Sequence, residues 1–483
     1  MNSAIRRIRF FRVLLVSMIS VIVSAVGYAQ VWTRAASFGG VGSDAGVAVK
    51  VSPNGDRYLT GYFSDSVSFG AKTLVSVGDT DIFLAKFGRW VIQVGGASHE
   101  EPTDIALDDA GNVYLTGWFT DSATFHSTNG SVVTASGNSE TIFLAKYSSS
   151  GVLAWVETGV VSFFSINRGH GVAADSSGGA IYLTGISQGD TVFSSSNGNS
   201  HTVSGPGSWH MALVKYDADG NFQWGESNEA GANSIPHKVA VDADGSAYVT
   251  GWFEGQATFH SKDGGDQTIN GLSQPIQNAP DYPDDSFVVK YDRDGNLKWA
   301  NDIGGYKCIT NDIAVSSDGL ISVTGLIGNI NGTAQQKETL VTSQPPGATI
   351  SLGGGHLTNP YNRDMFVATY DASGVALNAV RMGGVNNEEG GGIVNSGSDV
   401  YVSGLLEGSS NLFIAKLTGN VLDWIKKDAG PISGTLEVLP RISLTPEGRI
   451  VAIGGYVNTA TFGSFTLNSQ GDEDLFLADL RVP

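Results

Sequence analysis

Aromatic and polar side chains that could bind a ligand gather just before three copies of a strand-like run. The run reads Ala-Leu-Val-Lys-Tyr from Ala212, Phe-Val-Val-Lys-Tyr from Phe287 and Phe-Val-Ala-Thr-Tyr from Phe366. The side chains ahead of these runs are Trp209 and His210, then Asp281, Tyr282 and Asp284, then His356, Asn359 and Tyr361. Aromatic faces beside carboxylate, amide and imidazole groups suit sugar rings or peptide segments, through stacking and directional hydrogen bonds. We therefore predict a ligand-binding surface here, with the alternative that Tyr282 and Tyr361 only hold their loops in place.

Motifs typical of common catalytic and cofactor sites are missing from the sequence. It has no Gly-x-Ser-x-Gly elbow, no His-Glu-x-x-His pair and no Walker phosphate loop. His126 and His260 occupy equivalent places in two Ala-Thr-Phe-His-Ser runs, too far apart in the repeat to share a metal ion. Cys308 is the single cysteine, so no intramolecular disulfide can form, and we expect a small buried residue there. We predict no cofactor and no metal site.

Acidic turns of the type Asp-x-Asp-Gly recur, for example at Asp242–Gly245 and Asp292–Gly295. They could suggest calcium, but a calcium-binding EF-hand loop needs glycine at its sixth position and glutamate at its twelfth. We expect structural turns instead, in which aspartate bonds nearby backbone and glycine takes a positive φ. A second set of aspartates stands two residues before the aromatic position of the strand-like run and is expected to cap loops: Asp81, Asp285, Asp364 and Asp474.

These residues belong to a unit that is written seven times along the chain. Its first half is a Tyr-Leu-Thr-Gly-type run that ends at Gly61, Gly117, Gly185, Gly251, Gly325, Gly404 and Gly454. Its second half is a Phe-Leu-Ala-Lys-type run that begins at Phe83, Phe143, Ala212, Phe287, Phe366, Phe413 and Phe476. Each copy reads as four strands joined by Gly, Asp and Asn turns, and the fourth strand carries a Trp in most copies. Seven four-stranded copies predict an all-β, seven-bladed β-propeller.

The two ends of the repeat array complement each other. After its Phe476 strand the last copy has only Arg481, Val482 and Pro483, so it lacks a fourth strand. The segment Val31-Trp32-Thr33 matches the fourth strand around Trp299 in another copy. We therefore expect residues 30–35 to complete the last blade and to close the ring, which hides the open strand edges.

Strand direction sorts the connections onto two faces of the predicted disc. One face carries short, regular turns, which we expect to be too shallow for a pocket. The other carries the inserts between second and third strands, which are longest at Glu254–Asp285 and Ile327–Asp364 and shortest at Leu405–Asn411. We expect these inserts to form long, irregular loops that project furthest from the disc at blades three to five. Loops held on rigid scaffolds often carry function.

The repeated motifs resemble the bacterial seven-bladed beta-propeller repeat family, abbreviated SBBP. The matching residues are the Ile-Ala-Val-Asp and Tyr-Val-Thr-Gly runs, Asp285-Ser286-Phe287-Val288, Asp364-Met365-Phe366-Val367, and Gly-Gly pairs such as Gly95-Gly96 and Gly304-Gly305. The resemblance implies the propeller fold over residues 30–483. It implies no catalytic residues, because the family is defined by its repeats in secreted or surface proteins and fold alone does not give function.

The N-terminus predicts export. Four arginines precede the apolar run Val13–Val26, and small residues follow up to Ala29, so residues 1–29 read as a secretory signal peptide. A membrane anchor is the alternative, although the run is shorter than the roughly 20 residues that span a bilayer. Cleavage removes the four arginines and moves the formal net charge from -19 to -23. Such acidity disfavours nucleic acid and anionic membrane surfaces as partners.

Together these features predict an exported monomer without membrane insertion after cleavage. We interpret it as a binding module for a surface glycan or a protein, located in the periplasm, at the cell surface or in the medium. Two alternatives stay open: a polysaccharide lyase or hydrolase that uses loop carboxylates, and a structural component of the cell envelope.

Overall fold

The structure is a computed structural model that describes residues 30–161, 165–271, 284–304, 307–328, 348–351, 363–383, 387–406, 411–419, 421–427 and 439–482. Within these ranges the chain forms strands and turns and no helix, so the fold is all-β as predicted. The same ranges contain no helix of the length and apolar character needed to cross a membrane. The predicted signal segment, residues 1–29, lies outside the described residues.

The strands group into antiparallel units, which we number 1 to 7 along the described parts of the chain, after an initial strand β1 (Val31–Phe38). Unit 1 contains β2 (Asp44–Val51), β3 (Arg57–Phe63), β4 (Ser66–Phe69), β5 (Lys72–Val75), β6 (Asp81–Lys86) and β7 (Trp90–Gly95). Unit 2 contains β8 (Glu100–Leu107), β9 (Val113–His126), β10 (Val132–Tyr147) and β11 (Leu153–Val161). Unit 3 contains β12 (Arg168–Ala174), β13 (Ile181–Gln188), β14 (Thr191–Ser194), β15 (Ser200–Val203), β16 (Trp209–Tyr216) and β17 (Phe222–Ala230).

The second half of the chain repeats this order. Unit 4 contains β18 (Ser234–Val241), β19 (Ala247–Glu254), β20 (Gln256–Phe259), β21 (Gln267–Asn270), β22 (Asp284–Tyr291) and β23 (Leu297–Ile303). Unit 5 contains β24 (Ile309–Val315), β25 (Ile321–Gly328), β26 (Ala348–Ser351), β27 (Arg363–Tyr370) and β28 (Ala376–Gly383). Unit 6 contains β29 (Glu389–Ser396), β30 (Asp399–Leu406), β31 (Asn411–Thr418) and β32 (Val421–Lys427). Unit 7 contains β33 (Arg441–Leu444), β34 (Ile450–Tyr456), β35 (Thr459–Phe462), β36 (Phe465–Asn468) and β37 (Asp474–Arg481).

Four long strands form a meander in each unit, and we call them the first to fourth strands. In unit 4, for example, β18 pairs with β19, β19 with β22 and β22 with β23, all antiparallel. In unit 7 the order is β33, β34, β37 and then β1, which supplies the fourth strand from the other end of the chain. The first strands of successive units contact one another in chain order, and β33 in turn contacts β2.

The core lies between units, because both faces of each meander are apolar. The second and third strands are buried over almost their whole length, as in Ala247–Phe253 and Leu475–Leu480. Their Val, Ile, Tyr and Phe side chains pack against the neighbouring unit; one buried cluster joins Leu59, Phe83 and Ala85 of unit 1 to Val451 and Leu477 of unit 7. Strands that are apolar on both faces are expected wherever both faces are covered.

A tryptophan on the fourth strand joins several units to their successors. The indole nitrogen donates to a carbonyl in the third-to-fourth turn of the next unit: Trp90 to Ser149 (3.3 Å), Trp155 to Ala218 (3.2 Å), Trp224 to Arg293 (3.0 Å) and Trp299 to Ala372 (3.2 Å). The glycine of that turn lies against the indole ring; at Gly295 (φ 95°), a Cβ would lie 3.0 Å from Trp224. Glycine is therefore required there both for its positive φ and for the close approach of the ring.

The acidic turns are structural, as the sequence predicts. In unit 4 the Asp242 carboxylate accepts hydrogen bonds from the backbone N–H of Asp244 (3.0 Å) and Ser246 (2.8 Å) and from the Tyr248 hydroxyl (2.8 Å). Gly245 follows with a φ of 79°. The aspartate therefore organises its own turn.

The prediction of irregular inserts is wrong for units 1, 2, 3 and 7 and for the described part of the insert in unit 4. Their inserts fold as β-hairpins, such as β14–β15 and β20–β21. Several hairpins also pair with the fourth strand of the preceding unit, as β14 does with β11 and β20 with β17. A short strand that pairs with another unit has no strong local signal, since the neighbouring unit supplies its partner.

Candidate functional site

Two of the predicted site residues lie at the start of β16 in unit 3. Trp209 is partly exposed, whereas His210 is fully buried. The His210 Nδ1–H donates to the carbonyl of Ser208 at 3.1 Å, and burial lowers the pKa of the imidazole. His210 therefore fixes the start of β16 through its hydrogen bond. Of the two residues, only Trp209 reaches the surface.

Of the other predicted site residues, the structure describes only the backbone of Asp284. Asp284 begins β22 in unit 4. Outside the described residues lie Asp281, Tyr282, His356, Asn359 and Tyr361.

A polar cluster that sequence reasoning missed lies on the first strands. Each first strand of units 1 to 5 carries a one-residue bulge against its second strand, and unit 6 shows a similar shift between Gly390 and Ile393. The bulged residues are Val47, Thr103, His170, His237 and Asn311. A bulge re-aims the side chain of its extra residue. We use the name inner cluster for the polar bulged residues together with two ion pairs on the same first strands. Its members are Thr103, His170, His237, Asn311, Asp104, Lys238, Asp312 and Arg441.

Hydrogen bonds from the bulged side chains run from each unit to the next. Thr103 donates to the carbonyl of Gly169 (2.8 Å), His170 to that of Pro236 (2.6 Å), His237 to that of Thr310 (2.6 Å) and Asn311 to that of Gly390 (2.9 Å). The donor changes from hydroxyl to imidazole to amide while the acceptor position stays the same. These bonds therefore tie units 2 to 6 together in chain order.

Two ion pairs of the inner cluster each span an intervening unit. Lys238 of unit 4 lies 3.2 Å from the Asp104 carboxylate of unit 2, across Gly171 of unit 3. Arg441 of unit 7 lies 3.6 Å from Asp312 of unit 5, across a glycine of unit 6. Because a Cβ on Gly171 would lie 2.9 Å from the Lys238 Cα, the glycine makes room for the spanning contact. Lys238 also donates to the Thr103 carbonyl at 2.7 Å.

Burial controls the protonation of this cluster. It lowers the pKa of Lys238 to about 8, while the Asp104 carboxylate acts in the opposite direction. It lowers the pKa of His170 to about 3 and that of His237 to about 4, and Lys238 adds to both effects. Both imidazoles are therefore neutral at pH 7. Because each Nδ1 carries the proton donated to a carbonyl, each Nε2 is left as a hydrogen-bond acceptor.

The two imidazole rings are neighbours. Their centroids lie 6.1 Å apart and their planes are tilted by 49°. Both side chains are only half-buried. In the described part of the chain neither Nε2 makes a hydrogen bond, so both can accept one from a hydroxyl or an amide of a bound molecule.

In the described ranges, no three His, Cys, Asp or Glu side chains are placed so that they could hold one metal ion. The Cys308 thiol is buried, and burial raises its pKa to about 12, so it is a packing group and a poor nucleophile. The chemistry that the inner cluster offers is recognition of polar groups by fixed donors and acceptors.

The turn side is less uniform than the sequence predicts. The ends of three first strands and their turns line an open cavity of about 460 Å³, with Val51, Pro53, Leu107, Leu444 and Pro446 in its wall. Its members come from units 1, 2 and 7. The cavity is open to solvent, so the expectation that this face is too shallow for an enclosed pocket stays a prediction.

A signal for the inner cluster exists in the sequence. Aligned on the apolar run of the first strand, the preceding residues read Pro-Thr-Asp, Gly-His-Gly, Pro-His-Lys and Thr-Asn-Asp. These polar residues vary within an otherwise regular repeat. The bulge that turns them into one cluster depends on register against the second strand, which the repeat alone does not specify.

Comparison with known proteins supports the repeat assignment. Residues 89–118 match the beta-propeller repeat family abbreviated SBBP. The chain thus carries an SBBP beta-propeller repeat, and the predicted resemblance is confirmed. An uncharacterized WD repeat-containing protein of Acanthamoeba polyphaga mimivirus is 28% identical over 207 residues, which cover 42% of this chain. The match spans only 14% of that relative's length.

The solved structures that this chain resembles are distant from it. Virginiamycin B lyase from Staphylococcus aureus shares 12% identity over 78% of this chain and 94% of its own, with a TM-score of 0.32. A Synechocystis apocarotenoid oxygenase shares 12% over 92% and 95%, with a TM-score of 0.39. A polysaccharide lyase shares 10% over 78% and 89%, with a TM-score of 0.33. Likeness at this level does not bear on the chemistry of the chain.

Proposed function

We propose that the seven units are the blades of a closed seven-bladed β-propeller that is exported and binds a surface glycan. Support for closure comes from β1, which pairs with β37, and from the contact of β33 with β2. The ion pairs that span one unit support first strands that surround a common space.

The observation that carries the binding role is the excess length of two inserts. A hairpin such as β14–β15 is enough to pack one unit on the next, and unit 3 returns to its third strand soon after. Unit 4 adds residues 271–283 after its hairpin, and unit 5 has residues 329–362 between its second strand β25 and its third strand β27. The inserts of units 1, 2, 3 and 7 are complete without comparable additional sequence, and loops in excess of structural need are commonly functional.

The composition of the additional sequence fits a sugar ligand. It contains Tyr282 and Tyr361 beside Asp281, His356 and Asn359, and Trp209 is partly exposed in the neighbouring unit 3. Aromatic faces stack on sugar rings, and carboxylate and amide groups bond hydroxyls. The unpartnered Nε2 atoms of His170 and His237 are acceptors of the same kind. A protein ligand would use the same groups and is an outcome of the test below.

Export and acidity define the remaining expectations. We expect a signal-cleaved, monomeric protein in the periplasm, at the cell surface or in the medium. The formal net charge of -19 supports a partner that is neither nucleic acid nor an anionic membrane.

The test compares two double variants of the chain on a glycan array and in a pull-down from cell envelopes. Tyr282→Ala with Tyr361→Ala should lose binding by roughly tenfold or more, because stacking on an aromatic face is lost. Asp219→Asn with Asp294→Asn, on the turn side, is the matched control and should bind as the wild type does. Circular dichroism should show both variants folded. Equal binding by the tyrosine variant, or loss only in the turn variant, would reject the assigned face; retained capture of an envelope protein without glycan binding would reject the glycan.

A further inference from the structure

Arg168, Lys238 and Arg441 lie on first strands, and each of these cations has a carboxylate of the protein as its partner. Arg168, at the start of β12 in unit 3, donates two hydrogen bonds to Glu140 of unit 2, at 2.7 and 2.6 Å. Its guanidinium carbon also lies 4.4 Å from the ring centroid of Trp118. Both oxygens of Glu140 and one face of the guanidinium are therefore already in contact within the protein, in the paired geometry that arginine and carboxylate prefer.

The Lys238 ammonium group is enclosed by acceptors of the protein. It lies 3.2 Å from the Asp104 carboxylate and donates to the carbonyls of Thr103, at 2.7 Å, and His170, at 3.3 Å. A lysine ammonium group has three N–H donors, and these three partners account for all of them. The side chain is also buried. Lys238 therefore has no donor left for an anionic group of a ligand.

Arg441 is held in the same way by units 5 and 6. Its guanidinium lies 3.6 Å from the Asp312 carboxylate, and it donates to the carbonyls of Asn311, at 3.1 Å, and Gly391. Its charge adds to the effect of burial in lowering the pKa of Lys238, so the two cations lie close enough to interact. Each positive charge of the inner cluster is therefore balanced by a negative charge of the protein itself.

The polar atoms left free at the histidine bulges are hydrogen-bond acceptors. In His170 and His237 the Nδ1–H donates to a backbone carbonyl, and in the described part of the chain neither Nε2 has a partner. Both side chains keep contact with solvent, although burial lowers the pKa of each imidazole far below its ordinary value of 6.5. A group that meets solvent but is strongly desolvated lies in a recess and not on an open surface. A ligand that enters this recess must therefore supply donors.

Glutamates near the starts of two first strands add negative charge beside the bulges. Glu101 of unit 2 and Glu389 of unit 6 occupy equivalent positions, each opposite the residue that follows the second-strand glycine. Burial raises the pKa of Glu389 to about 7, although a 3.1 Å hydrogen bond from Asn311 and the charges of two arginines oppose this effect. A carboxylate brought here by a ligand would meet repulsion and desolvation, with no cation of the inner cluster free to pair with it.

On the basis of the proposed glycan-binding function, we infer that the inner cluster binds a neutral sugar residue through its hydroxyl groups and rejects sugars that carry a carboxylate. Hydroxyls of the sugar donate to Nε2 of His170 and His237, the acceptors that the protein leaves unused. A site whose free polar groups need donors discriminates against a ligand that brings an anion, because that anion would be desolvated without compensation.

Matched pairs of oligosaccharides test this selectivity. Each pair contains a chain of neutral hexoses and the same chain with its C6 hydroxymethyl groups oxidised to carboxylates, printed at equal density on one glycan array. The wild type should bind the neutral member more tightly by roughly tenfold or more at pH 7. The preference should persist in about 0.5 M NaCl, where repulsion between the ligand and distant charges of the acidic protein is screened. A preference that disappears at this salt concentration would belong to the net charge and would overturn the inference.

Variants assign the selectivity to the two histidines. His170→Thr with His237→Thr keeps a donor for the next carbonyl, as Thr103 does natively, but it removes both Nε2 acceptors. It should weaken binding of the neutral member by roughly tenfold, because two hydrogen bonds to the sugar are lost. Lys50→Gln, at an exposed cation on the first strand of unit 1, is the control and should bind as the wild type does.

The outcomes separate this selectivity from glycan binding as such. Equal binding of the two members of the pairs, or unchanged binding by a folded threonine variant, would overturn the inference. If the threonine variant does not fold, the preference of the wild type decides alone. Glycan binding that is lost in Tyr282→Ala with Tyr361→Ala would in each case leave the proposed function standing. No binding of any glycan by the wild type would reject both proposals.

Discussion

The bulged residues of the inner cluster occupy equivalent positions in units 2 to 5, but their residue types differ. Thr103, His170, His237 and Asn311 stand at the same bulge, and each donates one hydrogen bond to the next unit. Only the two histidines can also gain a charge near neutral pH. Burial and the cations around them, Arg168, Lys238 and Arg441, keep them neutral.

These two histidines should make the free energy of unfolding depend on pH below neutrality. Their pKa values fall from the ordinary 6.5 to about 3 and about 4 in the folded chain. A depressed pKa contributes stability that is present above pH 6.5 and is lost as the pH falls toward the folded values. The free energy of unfolding should therefore decline from pH 6.5 to 4, with up to about two protons taken up by this pair on unfolding.

The double variant His170→Asn with His237→Asn isolates this contribution. Asparagine can keep the bond to the next carbonyl, as Asn311 does natively, but it does not titrate. Denaturant titrations between pH 4 and 7 should show a flatter decline for the variant than for the wild type. His126→Asn, at an exposed histidine, should keep the wild-type slope. An unchanged slope in the double variant would show that both histidines titrate normally in the folded chain.

At the scale of elements, the insert hairpins act as packing devices between units. A phenylalanine at the end of the first hairpin strand lies on the aromatic residue of the third strand. Ring centroids are separated by 5.0 Å for Phe259 and Phe287, 5.2 Å for Phe125 and Phe143, and 5.0 Å for Phe462 and Phe476. All six rings are fully buried. The hairpin therefore extends the hydrophobic core outward from the meander.

Removal of one of these phenylalanine side chains should destabilise the folded chain. Phe259→Ala should lower the free energy of unfolding by about 3–5 kcal/mol, the usual cost of a buried Phe→Ala substitution. The neighbouring Thr258 is bonded to Thr268 at an exposed position, at 2.9 Å, so Thr258→Ala should cost less than about 1 kcal/mol. Urea unfolding monitored by fluorescence measures both. Similar small losses in the two variants would mean that the hairpin does not belong to the core.

The sequence predicts the meanders well, because their signals are local. The Tyr-Val-Thr-Gly and Phe-Val-Val-Lys runs and the Asp-Gly turns lie where the strands and turns are observed. The hairpins escaped prediction although Ala-Thr-Phe recurs in units 2, 4 and 7, because a four-residue strand is a short pattern whose formation depends on tertiary packing. The inner cluster escaped because a bulge shifts register by one residue. Of the predicted site, only Trp209 and His210 are described with their side chains, and burial of His210 is set by tertiary packing.

At the scale of the molecule, everything proposed here depends on how the two ends of the chain meet. β1 pairs with β37 from Val31 opposite Arg481 to Phe38 opposite Leu475. This pairing covers the edge of the last unit with a strand from the first residues described. Closure of the ring would create the space shared by the inner cluster and fix the insert-bearing face.

Disulfide trapping tests closure most directly. Ala35 and Ala478 lie opposite each other in the β1–β37 register, and residues opposite in antiparallel strands have Cα separations of about 4.5–5.5 Å, within disulfide range. Ala35→Cys with Ala478→Cys should therefore oxidise to an intrachain disulfide in the native protein, seen by mass spectrometry and gel mobility. Ala35→Cys with Ala452→Cys, one strand further away, is the matched control and should stay reduced. Reduced thiols at both introduced cysteines of the first variant under native oxidising conditions, or equal crosslinking in both variants, would contradict the closed ring.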